Sequence, residues 1–350
     1  MKRISFNNDW HFTRLASGKT ERVDLPHDAT ISEPRDPAIR IGYLCAFYHG
    51  GKYEYRKSFT LPREWAEKAF YLEFEGIYCR SEVFVNGSRI SSLTNGYIGV
   101  SERIDHLLHA GENEVRVTVD TPYNDHSRWY QGSGIYRDVW LYVGEKEHIP
   151  PHALKVKTLS HAPAVIEANC KAEGELSYTV LDGAAPVAHG KGSSARIEIP
   201  QAQLWSDEAP HLYTLKAELY SGGVKCDEAE VKFGIRTLSW SAEEGFLVNG
   251  KRTLLRGGCI HCDNGVLGCV TTRQTELRRA QKIKQAGFNA IRSAHHPMSP
   301  ALLEACDEAG LFVMDEAFDM WYRMKTRNDF SSAFYEEFPL ILREMAAKDY

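Results

Sequence analysis

Read for the alternation of apolar and polar positions, the chain divides into three stretches. Up to about Gly144 short alternating segments dominate: Tyr55 to Leu61, Ala69 to Glu75, Glu82 to Val85, Glu114 to Asp120 and Val139 to Val143. A period of two lays one face of each segment on a core, so these are expected strands. Asn86-Gly87, between Val83-Phe84-Val85 and Ile90, predicts a type I′ hairpin, because both central residues tolerate positive φ. Residues 1–146 are therefore expected to form a β-sandwich of the jelly-roll kind.

Beyond a Pro150-Pro151 linker the strand pattern continues: Val165 to Ala168, Glu175 to Leu181, Ala195 to Ile199, Tyr213 to Tyr220 and Glu228 to Ile235. This spacing over residues 147–237 suits an immunoglobulin-like sandwich, although the Cys-Trp-Cys signature of antibody domains is absent.

After Leu238 the pattern becomes strand, loop, helix. Thr253 to Gly258, Phe288 to Ala294 and Leu311 to Ala317 are expected strands. Between them, Thr272 caps a helix whose Leu277, Ala280 and Ile283 share a face before Gly287 stops it. Ser299-Pro300 starts a second helix, with Leu302, Leu303 and Cys306 as its buried stripe up to Gly310. Alternating strands and helices predict a parallel sheet with right-handed crossovers. Residues 238–350 hold only three such strands, whereas a closed (β/α)8 TIM barrel takes about 250 residues, so an incomplete barrel is expected.

Composition changes this picture little. Of 350 residues, 43 % are hydrophobic and 25 % charged, as in an ordinary globular protein of two or three domains. With 42 basic and 47 acidic residues interspersed, the net charge of -5 offers no basic face for nucleic acid or anionic lipid. No apolar run approaches the roughly 20 residues of a membrane span. Asn7, Asn8, Asp9, His11 and Arg14 break up any secretory leader after Lys2 and Arg3. Eight scattered cysteines, Cys45, Cys79, Cys170, Cys226, Cys259, Cys262, Cys269 and Cys306, then read as reduced thiols, and the expected compartment is the cytoplasm.

Polar clusters follow each strand of the third stretch: His261 and Asp263, then His295 and His296, then Asp315, Glu316, Asp319 and Trp321. The C-terminal strand ends of a parallel α/β barrel open on one face, so these residues are expected to line one wall of a pocket. His and Asp can exchange hydrogen bonds with vicinal hydroxyls, and an indole ring offers an apolar platform, a combination suited to a sugar. Each alone is as readily a loop-stabilising hydrogen-bonder; their clustering argues for a site. Asp315 and Glu316, placed on the strand itself, are better explained as carboxylates held by a neighbouring Arg or Lys. Cys259-x-His261-Cys262 with Cys269 has zinc-ligand chemistry but lacks a second pair at finger spacing, and buried thiols are the simpler expectation.

Several motifs resemble glycoside hydrolase family 2. Val23-Asp24-Leu25-Pro26-His27-Asp28, Tyr55-Arg56-Lys57-Ser58-Phe59 and Ser127-Arg128-Trp129-Tyr130-Gln131-Gly132-Ser133-Gly134-Ile135-Tyr136-Arg137 are similar to the family's sugar-binding domain. Leu204-Trp205-Ser206, Pro210-His211-Leu212-Tyr213 and Phe233-Gly234-Ile235-Arg236 resemble its immunoglobulin-like domain. Phe246 through Gly257, Asn289 through Pro297, and Met314-Asp315-Glu316-Ala317 resemble the start of its barrel. The resemblance implies retaining hydrolysis of terminal β-D-galactosides, with β-glucuronidase, β-mannosidase or a non-catalytic carbohydrate-binding module as alternatives.

It also implies substrate contacts by His295 and His261, a pocket wall from Asp319 and Trp321, and a sandwich loop carrying Arg128 and Trp129 toward the barrel mouth. That loop is alternatively a plain inter-domain contact. Both catalytic glutamates are expected beyond Tyr350, leaving no catalytic residue in the chain and an inactive 350-residue unit. Cys262 and Asn264 stand where the related branch often has histidines, which puts contacts from those positions in doubt. The expected partner is a β-linked sugar or oligosaccharide; no cofactor is required. A divalent or sodium ion assists some relatives, with ligands that these residues do not assign, and homo-oligomer formation is left open.

Overall fold

The computed structural model describes residues 1–39, 42–121 and 128–348. Ser127, which begins the Arg128-Trp129 motif, lies outside the described residues, as do Asp349 and Tyr350.

The first unit is an antiparallel sandwich. One sheet orders Lys2–Ser5, Val139–Gly144, Ala69–Phe74 and Val100–Arg103; the other orders Lys19–Val23, Trp10–Arg14, Gly51–Leu61, Gly111–Thr121, Ser81–Val85 and Ser88–Leu93. Their inward faces bury Trp10, Phe12, Tyr55, Leu72, Phe74, Val83, Val117 and Ile135 in one apolar core. The long central pair runs in register from Gly111 opposite Leu61 to Thr121 opposite Gly51. Asn86 and Gly87 take φ of 48° and 82°, the two positive values the hairpin requires.

The second unit packs Leu154–His161, Ala164–Cys170 and Ser194–Glu198 against a sheet of Ala185–Lys191, Glu175–Asp182, Tyr213–Ser221 and Val224–Phe233. Ile166, Tyr178, Val180, Leu215 and Leu219 fill this second core. Trp205, at its edge, donates from Nε1 to the Asp307 carbonyl (2.9 Å) and meets Phe312 edge-on, which fixes this unit to the next.

A short meander, Leu238–Ser241, Gly245–Val248 and Lys251–Arg252, precedes a parallel sheet of Gly257–Ile260, Ala290–Ser293 and Phe312–Met314. Helix α1 (Arg273–Gln285) starts at a Thr272 capping box, and α2 (Pro300–Ala309) starts at Ser299, whose hydroxyl accepts from the Leu302 amide. Gly310, at φ 74°, ends α2 in the left-handed conformation that costs glycine nothing. Helix α3 (Phe334–Lys348), absent from the sequence expectations, lies back toward the first sandwich, where Glu337 accepts from the amides of Thr94 and Asn95.

All three parallel strands are shorter than their apolar runs. Residues 253–256 are not in the sheet, because a buried side chain replaces the ladder: Asn289 accepts from the Arg256 amide (2.7 Å) and donates to the Leu254 carbonyl (2.9 Å). The second strand lacks residues 288, 289 and 294 at its expected ends, and the third stops at Met314, because the Glu316 amide turns to the Ser293 hydroxyl (2.6 Å). Asp315 and Glu316 therefore sit just past the third strand and not on it.

Candidate functional site

The C-terminal ends of the parallel strands meet loops of the first sandwich in a solvent-open pocket. The barrel side contributes His295, Asp319 and the segment around Phe318, Met320 and Asn328 to Phe330; the sandwich contributes Tyr78, Arg80, Asn95, Tyr97, Trp129 and Gln131. The pocket belongs to neither unit alone.

Trp129 is only 9 % exposed. Its indole lies parallel to the His261 ring (4.9 Å, 3°) and edge-on to His295 (5.7 Å). The loop is thus an inter-domain contact and a pocket wall at once. Arg128 makes a two-pronged contact with Asp319, Nη2 to Oδ1 at 2.6 Å and Nε to Oδ2 at 3.0 Å, and Lys325 reaches the same Oδ1 at 2.7 Å. Burial pushes the Asp319 carboxyl upward, but the two cations outweigh it and hold it below the usual carboxylate range. It is fixed as an anion with a defined orientation.

His261 directs Nδ1 at the Ala294 carbonyl (2.5 Å), which leaves Nε2 as its other ring nitrogen. His295 is held through Nδ1 by Glu316 Oε2 (2.7 Å), and Glu316 is itself ion-paired with Arg292. Arg292 and His295 thus hold Glu316 below the usual range, against the upward push of its partial burial. An arginine does hold this carboxylate, as expected, although Glu316 sits just past the strand and not on it. Asp315 differs: its partner is the Ser293 hydroxyl (2.8 Å).

Of the sequence-derived candidates, His295, Asp319 and Trp129 line the pocket; His261 and Arg128 lie behind it, against Trp129 and Asp319, and Asp263 and Trp321 do neither. The Asp263 side chain is exposed, and its backbone carbonyl is used by Arg279, which draws this stretch onto α1. Trp321 is 58 % exposed and outside the pocket lining. Cys259, His261, Cys262 and Cys269 also disperse. Cys259 is exposed beside Arg292, whereas Cys262 and Cys269 are buried among Tyr78, Tyr97 and Tyr136, where burial raises the Cys262 thiol to about 12. Among the described residues no three His, Cys, Asp or Glu side chains are grouped to hold a metal ion.

Sequence reasoning missed Tyr97, Gln131 and the 328–330 segment. Tyr97 stacks on His296 at 3.8 Å, and Gln131 donates to the Tyr97 hydroxyl while accepting from Tyr78. Tyrosines in a sandwich loop carry no local signal of this. Asp329, 3 % exposed, accepts from the amides of Lys325, Thr326 and Ser331 and so shapes the segment that forms the far wall. His296 is buried, and burial holds its imidazole down to about 3, so it packs as a neutral ring.

Two sandwiches followed by a parallel strand–helix segment, with a polar pocket shared between the first and third units, define a modular protein that carries part of an α/β barrel. The models for the glycosyl hydrolase 2 galactose-binding domain-like region, for glycosyl hydrolases family 2 and for the family 2 TIM barrel domain match residues 20–150, 152–236 and 242–336. The chain belongs to glycoside hydrolase family 2.

It is 33 % identical over 381 residues to β-galactosidase BoGH2A of Bacteroides ovatus, covering 99 % of this chain and 45 % of that protein. It is 27 % identical over 349 residues to a β-glucuronidase of Bacteroides fragilis, covering 89 % and 49 %. A family 2 member from Bacteroides cellulosilyticus has the same fold at TM-score 0.91 and 31 % identity, covering all of this chain and 50 % of that one. The chain thus spans about half the length of the proteins it resembles.

Proposed function

We propose that this chain supplies the substrate-binding side of a retaining β-glycosidase that cleaves terminal β-D-galactosides. The two glutamates such a reaction needs, about 5–5.5 Å apart, would come from sequence following Tyr350. The observation that carries this reading is the shared pocket, where the imidazole of His295 and the clamped carboxylate of Asp319 face a wall built by the sandwich. An oriented anion and an oriented imidazole are suited to binding the hydroxyls of a pyranose, and the sandwich wall lets the site close around a terminal residue.

A neutral sugar fits the charges better than a uronate. Arg128 and Lys325 are committed to Asp319, Arg292 to Glu316, and Arg80 donates to the Asn328 carbonyl. A glucuronide would bring a carboxylate toward Asp319. The relatives named β-glucuronidase make uronates the competing substrate class.

The test is a panel of chromogenic β-galactoside, β-glucuronide and β-mannoside with the full-length protein, alongside the 350-residue chain. Turnover of the galactoside by the full-length protein and none by the shorter chain is expected. Hydrolysis by the pure 350-residue chain would overturn the placement of the catalytic groups.

A further inference from the structure

His295 is the pocket imidazole whose surroundings are most fully specified. Its Nδ1 lies 2.7 Å from Glu316 Oε2 and 3.2 Å from Arg292 Nη2. Those two contacts make opposite demands: the carboxylate accepts a hydrogen from Nδ1, while a guanidinium would need a lone pair there. Three observations decide between them. The carboxylate contact is the shorter. Arg292 already spends its Nε on Glu316 Oε1. The Glu316 amide is tied to the Ser293 hydroxyl at 2.6 Å, which fixes the start of the Glu316 side chain relative to the second strand. Arg292 therefore orients the acceptor, and the acceptor takes the Nδ1 hydrogen. His295 is itself one of the residues that line the pocket.

We propose that Glu316 is a positioning residue for His295. Whenever the ring carries a single hydrogen, Glu316 holds that hydrogen on Nδ1, so that Nε2 presents a lone pair to the pocket and binds a sugar hydroxyl that donates. A ring nitrogen's role is set by the hydrogen bond the other nitrogen makes. Free imidazole side chains favour the opposite form, with the hydrogen on Nε2, so the arrangement is imposed by the protein. It deepens the glycosidase reading by naming a polarity. At this point the substrate must carry an O–H, and a carboxylate or a fluorine in that place has no hydrogen to give. This consequence for substrate rests on the glycosidase reading; the state of the ring does not.

The ring is read directly by nitrogen-15 NMR of histidine side chains in the 350-residue chain, with His295 assigned by substitution. Under conditions where the ring is neutral, the wild-type chain is expected to show a hydrogen-bearing Nδ1 and a bare Nε2. Glu316→Ala should shift His295 to the Nε2–H form, whereas Glu316→Gln, whose amide oxygen still accepts, should keep the wild-type pattern. A wild-type chain with its hydrogen on Nε2, or a Glu316→Ala chain with an unchanged ring, overturns the proposal. The wild-type spectrum decides even if the alanine variant does not fold. Because no sugar is used, the outcome is independent of whether galactosides are the substrate. In the full-length protein, Glu316→Ala should lower kcat/KM about tenfold or more for the parent galactoside and remove discrimination against one deoxyfluoro analogue. A merely structural role for Glu316 would lower both substrates equally.

Discussion

The backbone amide of Cys269 donates to Asp28 Oδ2 over 2.9 Å, although 241 residues separate the two. Asp28, in the first sandwich, is 1 % exposed and also accepts from the amides of Thr30 and Ser133 and from the Tyr130 hydroxyl. One carboxylate thus ties the barrel's first loop to the sandwich loop that carries Trp129, and the pocket exists because these loops are held together. Gly132 and Gly268 crowd the same point: a Cβ on either would come within 2.7 Å or 2.1 Å of Asp28 Oδ2.

Asp28→Ala should therefore loosen the junction. Several buried donors lose their acceptor, each worth about 1–3 kcal/mol when left unsatisfied. The expected result is a loss of about 2–4 kcal/mol in urea unfolding followed by tryptophan fluorescence. Asp28→Asn, which keeps one oxygen acceptor, should lose less.

Acid sensitivity is expected from His296. Burial holds the folded-state imidazole down to about 3, against an ordinary 6.5. The unfolded chain then binds a proton in the window from 6.5 down to about 3 that the folded chain does not. Stability from this group is complete above 6.5 and falls with decreasing pH by up to about 1.4 kcal/mol per unit. His296→Phe keeps an aromatic ring against Tyr97 and removes the titration. Denaturant unfolding between pH 4 and 7 should show a flatter pH slope for the variant, and parallel slopes would refute the assignment.

Glu75 works in the other direction. Burial, with Asp138 and Glu73 nearby, raises its carboxyl to about 7, although Trp140 Nε1 donates to it at 2.8 Å and Arg3 at 3.1 Å. A raised acid favours the folded state most below its unfolded value of 4.5, and that contribution is lost as pH rises through about 7. Glu75→Gln should gain on the order of 2 kcal/mol over wild type at pH 8 and little at pH 4, as read by thermal or urea unfolding.

The part of the fold that was readable is the part decided locally. Thr272 and Ser299 cap helices through bonds to residues three positions away, Gly310 ends α2, and Asn86-Gly87 sets a hairpin. Each works from its own few neighbours. Strand ends were less readable, because a distant side chain, Asn289, takes over backbone partners at 254 and 256, and Ser293 draws the chain away at Glu316. Leu238–Ser241 is a strand with every residue exposed, so no alternation marks it. His295 and Asp319, which line the pocket, and His261, which backs Trp129, were found from their place after apolar runs. Asp263 and Trp321 share that sequence position, but the backbone turns them away from the pocket. Tyr97 and Gln131 belong to the site only through the docking of two units, which no local pattern encodes.

Breaking the Asp319 clamp should weaken substrate use without unfolding the protein. Arg128→Ala leaves Lys325 as the remaining ion-pair partner of Asp319, so kcat/KM of the full-length protein is expected to fall about tenfold, equivalent to about 1.4 kcal/mol. Asp319→Asn, which removes the anion itself, should cost more. Unchanged kcat/KM in both variants would place Asp319 outside the substrate contacts.

The central claim is that this pocket binds the terminal galactosyl unit of a β-glycoside. Its most direct measurement is kcat/KM of the full-length protein for paired β-D-galactoside and β-D-glucuronide substrates with the same leaving group. The account predicts a preference for the galactoside of at least about tenfold, with β-galactose as the first product. Preference for the glucuronide, or α-galactose as the first product, would contradict it.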